Sequence, residues 1–541
     1  MTQRNSLARL AYLTHLSPEL TKPYATYSDA FVYNNSTGTM AHYFLNNLES
    51  PIASTDPDKS NQNDDQASTE SPASSVPTQG LPPCLSGTPR LTTAATGSSH
   101  LTSPPNYRPS GQSTWAQYPN HPNRPPTSPT SPQIPTDEPF AVNASYIKDT
   151  HPKKVNLGIG VYRTNKGDPW PLRVVEDAEK AIYNANDISR HEYLSIQGDR
   201  EFLRLAADLV FDFNSAQTCA DTLQSSLGRV TSIQTVSGTG ANRLGAEFLT
   251  RNISPGTVWI PAPTWANHHT IWDLAGVPRK EYPYYNQTTG AFNYEETLQT
   301  LRTHSVKNDV LVLHACAHNP TGADPSREQW EGILDVCKEK GLIPFFDLAY
   351  QGFASGDVGK DGWAIRRFFE ERAIEFVVAQ SFSKNFGLYG QRVGALHVVS
   401  SSSAAQGVSD DILATLCHLV RGEYSMAPRG GAEIVRRVLG NKELRARWVE
   451  DLDTMSTRIL SMRKALFEEL VALGTPGDWG HVVNQIGMFT YVGLSESQVF
   501  AIRERYHVYM LKSGRISISG LNESNVRYVA MAIDDVVRSV S

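Results

Sequence analysis

Lys384 lies in SFSKNFGLYGQR, residues 381–392, between the apolar runs Phe376-Val377-Val378-Ala379 and Val393-Gly394-Ala395-Leu396, which puts an amine at an interior turn. A second apolar run ends in Asp347-Leu348-Ala349-Tyr350, so a carboxylate sits at a strand edge where an unpaired charge is costly. Such a carboxylate calls for a cationic partner. A lysine that forms a Schiff base with an aldehyde, and an acid that faces a protonated ring nitrogen, satisfy both demands through one ligand. The alternative is an internal salt bridge between Lys384 and Asp347, which leaves Arg392 and a glycine turn near Ser237 without a purpose.

The elements that must position these groups are strands followed by tight turns. From Val155 onward, strand-like apolar runs alternate with helical periods, the pattern of a mostly parallel sheet with helices on its faces. The runs include Val230–Val236, Val258–Ile260, Val310–Ala315, Leu342–Phe346 and Phe376–Gln380. In open sheets of this kind ligands sit at the carboxyl ends of the strands, so the residues just past each run are the candidates. After the first comes Ser237-Gly238-Thr239-Gly240, then Ala241, Leu244 and Phe248 at helical spacing. That reads as a helix N-terminus capped by Ser237, whose free N–H groups suit a phosphate. After the second and third runs come Trp265, a flat face for a ring, and Asn319, a donor to a ring oxygen. Taken singly, a tryptophan there is most often core, and His268 or His318 a satisfied interior histidine. Taken together, these groups are the set that binds pyridoxal 5'-phosphate.

The remainder of the 541 residues narrows the class. Net charge is −6 and no apolar run reaches the roughly 18 residues of a membrane span, which argues against nucleic acid and membrane as partners. Cys84, Cys219, Cys316, Cys337 and Cys417 are odd in number and widely spaced, so no disulfide framework or metal knuckle is indicated, and a reducing compartment fits. From Pro51 to Gln133 about half the positions are Pro, Ser or Thr, so residues 1–133 are expected to be a disordered extension. Its first residues, MTQRNSLARLAYLTHL, have two arginines and leucines near helical spacing, which resembles a mitochondrial presequence; a basic disordered terminus is the other reading.

From about residue 134 the chain resembles the class I aminotransferases, and within them the aspartate aminotransferases. VNLGIGVYRTNKGDPWPL, HEYLSIQG, VSGTGANRLGAEFL, PAPTWANHH, HACAHNPTGADP, FFDLAYQGFASG, SFSKNFGLYGQRVGALHVV and SGRISISGL occur in the family's order. The resemblance implies an α/β fold of the pyridoxal-phosphate transferase type, with 134–174 as an arm and part of a small domain, 175–440 as the large domain, and 441–541 completing the small one. It makes Lys384 the Schiff-base lysine, and Asp347, backed by His268, the partner of the ring nitrogen. Asn319 and Tyr350 would contact the ring hydroxyl and Trp265 would stack on the ring. The phosphate falls to Ser237, Gly238, Thr239, Ser381 and Arg392, with Tyr193 from a second subunit.

Arg515, near Gly160, would grip the substrate's α-carboxylate, and Arg421 would reach across a homodimer to its side-chain carboxylate. The substrates implied are dicarboxylic amino acids and 2-oxo acids, in a cytoplasmic or alternatively mitochondrial enzyme. Two departures bear on substrate choice: Met426-Ala427 replaces the usual Asn-Pro, and Gly390-Gln391 stands where cytosolic members commonly have Asn-Glu. An aromatic or kynurenine aminotransferase of the same class, and a catalytically silent protein that binds partners through its extension, are the competing readings.

Overall fold

The computed structural model describes residues 137–213, 228–401 and 406–540, together with the backbone of Phe31–Asn34 and Thr39–His42, which pair antiparallel. The presequence-like start and the Ser/Thr/Pro-rich stretch lie outside the described residues, as does any reading of Cys84 and Cys219.

Seven strands form the central sheet: β1 Val230–Val236, β2 Val258–Ala262, β3 Arg279–Pro283, β4 Val310–His314, β5 Ile343–Leu348, β6 Phe376–Ser381 and β7 Val393–Val399. Their order is β1-β7-β6-β5-β4-β2-β3. β2 through β6 run parallel to one another, and β7 is antiparallel to both β6 and β1. Every residue of β4, β5, β6 and β7 is buried. This is why they read as continuous apolar runs rather than alternating ones: both faces of the sheet are covered. β5 extends past Phe346 to Leu348, so Asp347 is part of the strand and pairs in register with His314 and Ala379.

Helix α1, Ser237–Asn252, follows β1 directly and buries Ala241, Leu244 and Phe248 against the sheet. The expected Ser237 cap is corrected by the structure. Ser237 is the first helical residue, its backbone is left-handed with φ 63°, and no side-chain cap bond forms at this terminus. Its hydroxyl turns instead to Ser383 Oγ, 2.8 Å away.

Outside the main sheet, Phe489–Tyr491 pairs antiparallel with Arg515–Ser517, and Val155–Asn156 pairs parallel with Val508–Tyr509. The second of these ladders joins residues from both flanks of the central region. The last helix, α2 Val526–Ser539, buries Val526, Val529, Ala530, Ile533 and Val536, the stripe its helical spacing predicts. Among the described residues no helix is long and apolar enough to cross a membrane.

Candidate active site

The carboxyl ends of β1, β5 and β6 open into one cavity. Because β7 is antiparallel, its start lies at that same edge: Val393 pairs with Val236, and Gly394 with Ser381. Topology alone thus brings the turn before β7, which carries Arg392, to the turn after β1. Ser237, Gly238, Thr239, Trp265, Asn319, Asp347, Tyr350, Ser381, Lys384 and Arg392 all line this cavity. The packing at the closed end is tight. A Cβ on Gly238 would lie 2.7 Å from Ser381 Cβ, and one on Gly394 would lie 2.5 Å from the Ser237 carbonyl carbon. Ser237 and Arg392 are both held at left-handed φ, 63° and 54°, at about 1–3 kcal/mol each.

Asp347 is buried and accepts from His268 Nε2 at 3.0 Å. The network continues behind it. His268 Nδ1 is 2.8 Å from Thr264 Oγ1, which is 3.1 Å from His314 Nε2. Burial pushes the Asp347 carboxyl upward, but the His268 hydrogen bond and the nearby Lys384 amine outweigh it and hold the group below its ordinary value. Burial keeps His314 neutral, far below the usual histidine range. The result is a charged acid inside the fold, with its orientation set by a three-residue chain.

Lys384 is partly buried in the cavity wall. Burial lowers its amine to about 8; Asp347 works against this fall, and Arg392 and Arg515 add to it. No ion pair among the described residues joins Lys384 to Asp347, so the simple salt-bridge reading has no support, and Lys384 Nζ stands 5.7 Å from the Tyr350 ring centroid. Tyr350 is raised well above an ordinary phenol by burial and by the negative Asp347, which leaves its hydroxyl a neutral donor.

Arg515 lies outside the lining set, in a neighbouring buried nook. Its Nη2 donates to the Gly158 carbonyl at 2.5 Å, and its guanidinium sits 4.2 Å from the Phe489 ring centroid. Gly160 borders the same ring, since a Cβ there would be 2.7 Å from Phe489 Cζ. Arg515 Nε is buried without a protein partner, and burial lowers the guanidinium to about 10. A cation so desolvated is ready for a carboxylate. Besides Arg515 and Gly160, which adjoin the cavity without lining it, two more expected residues are not brought to it in this chain. Tyr193 is 86% exposed, and Arg421 is exposed on the helix Gln406–Glu423, donating to Ser425 Oγ at 2.5 Å.

The structure adds groups that sequence reasoning passed over. Ser383, Asn242 and His314 line the cavity, Thr264 links the two histidines, and Phe489 supports Arg515. Asn242 was legible as one turn past Gly238, and Ser383 as a neighbour of Lys384. His314 required the strand register.

The cavity fits pyridoxal phosphate on its own evidence. Asn319 Oδ1 and Asn242 Oδ1 are buried with no protein partner, a desolvated amine and a charged acid line the same space, and hydroxyls and Arg392 crowd the glycine turn at one end. Fold and cavity together define an α/β enzyme of the pyridoxal-phosphate type.

Comparison with known proteins agrees. Residues 152–533 match the family profile "Aminotransferase class I and II". The chain is 51% identical over 400 residues to an L-tyrosine:2-oxoglutarate aminotransferase of Aspergillus ustus, covering 74% of this chain and 76% of that one. The structure of aspartate aminotransferase from Saccharomyces cerevisiae cytoplasm superimposes with a TM-score of 0.72 at 41% identity, covering 75% of this chain and 98% of that one. An aromatic-amino-acid aminotransferase from Burkholderia pseudomallei, covalently bound to pyridoxal phosphate, gives 0.70 at 38% identity, with 75% and 98% covered. The chain belongs to the class I and II aminotransferases and is a pyridoxal-phosphate-dependent enzyme.

Proposed function

We propose that the chain is an aspartate aminotransferase, moving the amino group of L-aspartate to 2-oxoglutarate to give oxaloacetate and L-glutamate. The observation that carries the reading is the meeting of a desolvated amine, Lys384, with a charged buried acid, Asp347, in one cavity, beside a buried arginine lacking a full set of partners. When bound, the cofactor supplies an aldehyde for an amine and a ring that accepts electron density from the amino acid's α-carbon.

The rest is done by the chain. Asp347, braced by His268, would favour a proton on the cofactor's ring nitrogen. Lys384 Nζ is the group that would hold the cofactor, and as a free amine it would take the α-proton of the substrate and give it back. Arg515 fixes the α-carboxylate so that the bond to be broken is aligned, and Tyr350 and Asn319 orient the ring oxygen. Ser237, Gly238, Thr239, Ser381 and Arg392 hold the phosphate.

Arg421 has no carboxylate partner among the described residues, and we infer that it and Tyr193 serve the site of a second copy in a homodimer. A planar guanidinium pairs two-point with a carboxylate, which favours dicarboxylic substrates. The division into a large domain, 175–440, and a small one built from 134–174 and 441–541 belongs to the same reading. So does a cytoplasmic location, with mitochondrial as second choice.

Two observations favour a second reading, transfer from aromatic amino acids. One relative is a tyrosine aminotransferase, and Met426 stands where the family usually has Asn, its Sδ accepting from Leu194 N at 3.2 Å. Donor profiling separates the two. Arg421→Gln is expected to cut kcat/KM for aspartate by at least about 100-fold, as for a lost buried charged pair, while sparing phenylalanine. Equal losses, or a wild-type preference for tyrosine over aspartate, would remove the aspartate reading and leave the aminotransferase intact.

A further inference from the structure

A second cavity, of about 430 Å³, lies apart from the catalytic one and shares no residue with it. It is bounded by the segment Pro152–Asn156, by the turn Arg163–Gly167, and by Gly520–Asn525 with Tyr528 of α2. Its size falls in the range of small-ligand sites. Its composition is one-sided. Lys153, Lys154, Arg163 and Lys166 line it; Glu523, within the third wall's segment, is exposed and is not part of the lining.

None of the four cations has a carboxylate within 4 Å among the ion pairs of the described residues. Asp149, next to this wall in sequence, is committed elsewhere: its Oδ2 is 2.7 Å from His507 Nδ1 and accepts from Tyr509 at 2.8 Å. Two of the cations are placed by the protein rather than left to solvent. Lys154 Nζ donates to the carbonyls of Tyr146 and Asp149 at 2.9 and 2.6 Å and lies 4.4 Å from the Tyr146 ring centroid. Arg163 Nη1 donates to the Gly167 carbonyl at 2.8 Å, which closes its own turn.

The walls are joined by a fifth cation. Arg458 donates to the Arg163 carbonyl at 2.7 Å, to Asn165 Oδ1 at 3.2 Å and to the Leu521 carbonyl at 3.0 Å, stapling the turn to the Gly520–Asn525 wall. A braced cleft lined by one sign of charge focuses its field into the opening and concentrates the opposite ion there. Lys153 and Lys166 are exposed at the rim of this cavity, while Lys154 and Arg163 are partly buried in its wall. The third wall is braced from within: the Ser524 hydroxyl donates to Asn522 Oδ1 at 2.6 Å and the Asn525 amide to the Gly520 carbonyl at 3.1 Å, which leaves the Asn522 amide as a neutral donor on the lining.

We propose that this cavity is a binding site for a small soluble polyanion carrying clustered phosphate or carboxylate groups, separate from the substrate site. The placement suggests an effector rather than a reactant. Asn156 is two residues before Gly158, whose carbonyl accepts from Arg515, and Asn522 lies seven residues past Arg515, so both walls continue into the segments that hold that arginine.

The test is calorimetric titration of the full-length holoenzyme with tripolyphosphate and, separately, with citrate, at two salt concentrations. At least one is expected to bind one per chain, with affinity falling as salt rises. Lys153→Gln combined with Lys166→Gln should weaken that binding at least about tenfold, equivalent to 1.4 kcal/mol, while leaving turnover without the anion unchanged. The charge-matched control Lys442→Gln with Lys464→Gln, elsewhere on the surface, should retain it. Which probe binds tells phosphate from carboxylate. Failure of both probes to bind, unchanged affinity in the Lys153/Lys166 variant, or an equal loss in the control would each overturn the proposal.

Discussion

Lys384 is subject to two opposed demands: burial disfavours its charge, while the nearby Asp347 favours it. Burial wins, and the amine falls to about 8, so a useful fraction is neutral near physiological pH and able to attack a carbonyl. The same shift has a consequence for stability. With an unfolded value near 10.4, the folded apoenzyme binds fewer protons than the unfolded chain between pH 8 and 10, so its stability at this site rises with pH across that window. The cost of the buried cation is fully present below pH 8, where it amounts to about 3 kcal/mol. Lys384→Met should therefore melt higher than the wild-type apoenzyme at pH 7, with the gap shrinking towards pH 10. A gap that is constant with pH would mean that the amine is not desolvated. Lys384, Asp347 and Trp265 were legible because each interrupts or ends an apolar run. His314 and Thr264 were not, because what makes them functional is the pairing of Asp347 with His314 across strands, a long-range register that no local pattern contains.

At the scale of elements, the turn after β1 and the turn before β7 form one structure. Gly238 packs against Ser381, Gly394 packs against the Ser237 backbone, and the left-handed residues Ser237 and Arg392 are held between them. Gly238→Ala would force a Cβ to 2.7 Å from Ser381. The expected result is at least about tenfold weaker cofactor retention, the equivalent of 1.4 kcal/mol, with the far-ultraviolet circular dichroism unchanged; full retention on dialysis would show that the turn tolerates the shift. The inner strands β4, β5 and β6 could be read from sequence because both faces of the sheet are covered, so their residues are largely apolar; β1, an edge strand reading VTSIQTV, is mixed and only partly buried. Ser237 was misread as a cap because a serine before a helical period is the usual cap signal. The backbone dihedral that reverses this is imposed by the antiparallel β7, a feature of the assembled sheet.

At the scale of the molecule, every residue assigned a role lies from residue 137 onward. A chain beginning at residue 134 is accordingly expected to keep its kcat/KM within about twofold, the range of a change that touches no interaction of the reacting groups. Loss of all turnover on truncation would move function into the extension. Tyr193 and Arg421 are exposed in a single chain, so the roles proposed for them rest on resemblance alone.

The central claim is that the Lys384 amine holds the cofactor and moves the proton. Its most direct test is the visible spectrum and single-turnover rate of purified Lys384→Ala beside wild type. Wild type should be yellow, and the variant should lose that band together with about 10²–10⁴-fold or more of the rate. A Lys384→Ala protein that stays yellow and turns over at the wild-type rate would contradict the account.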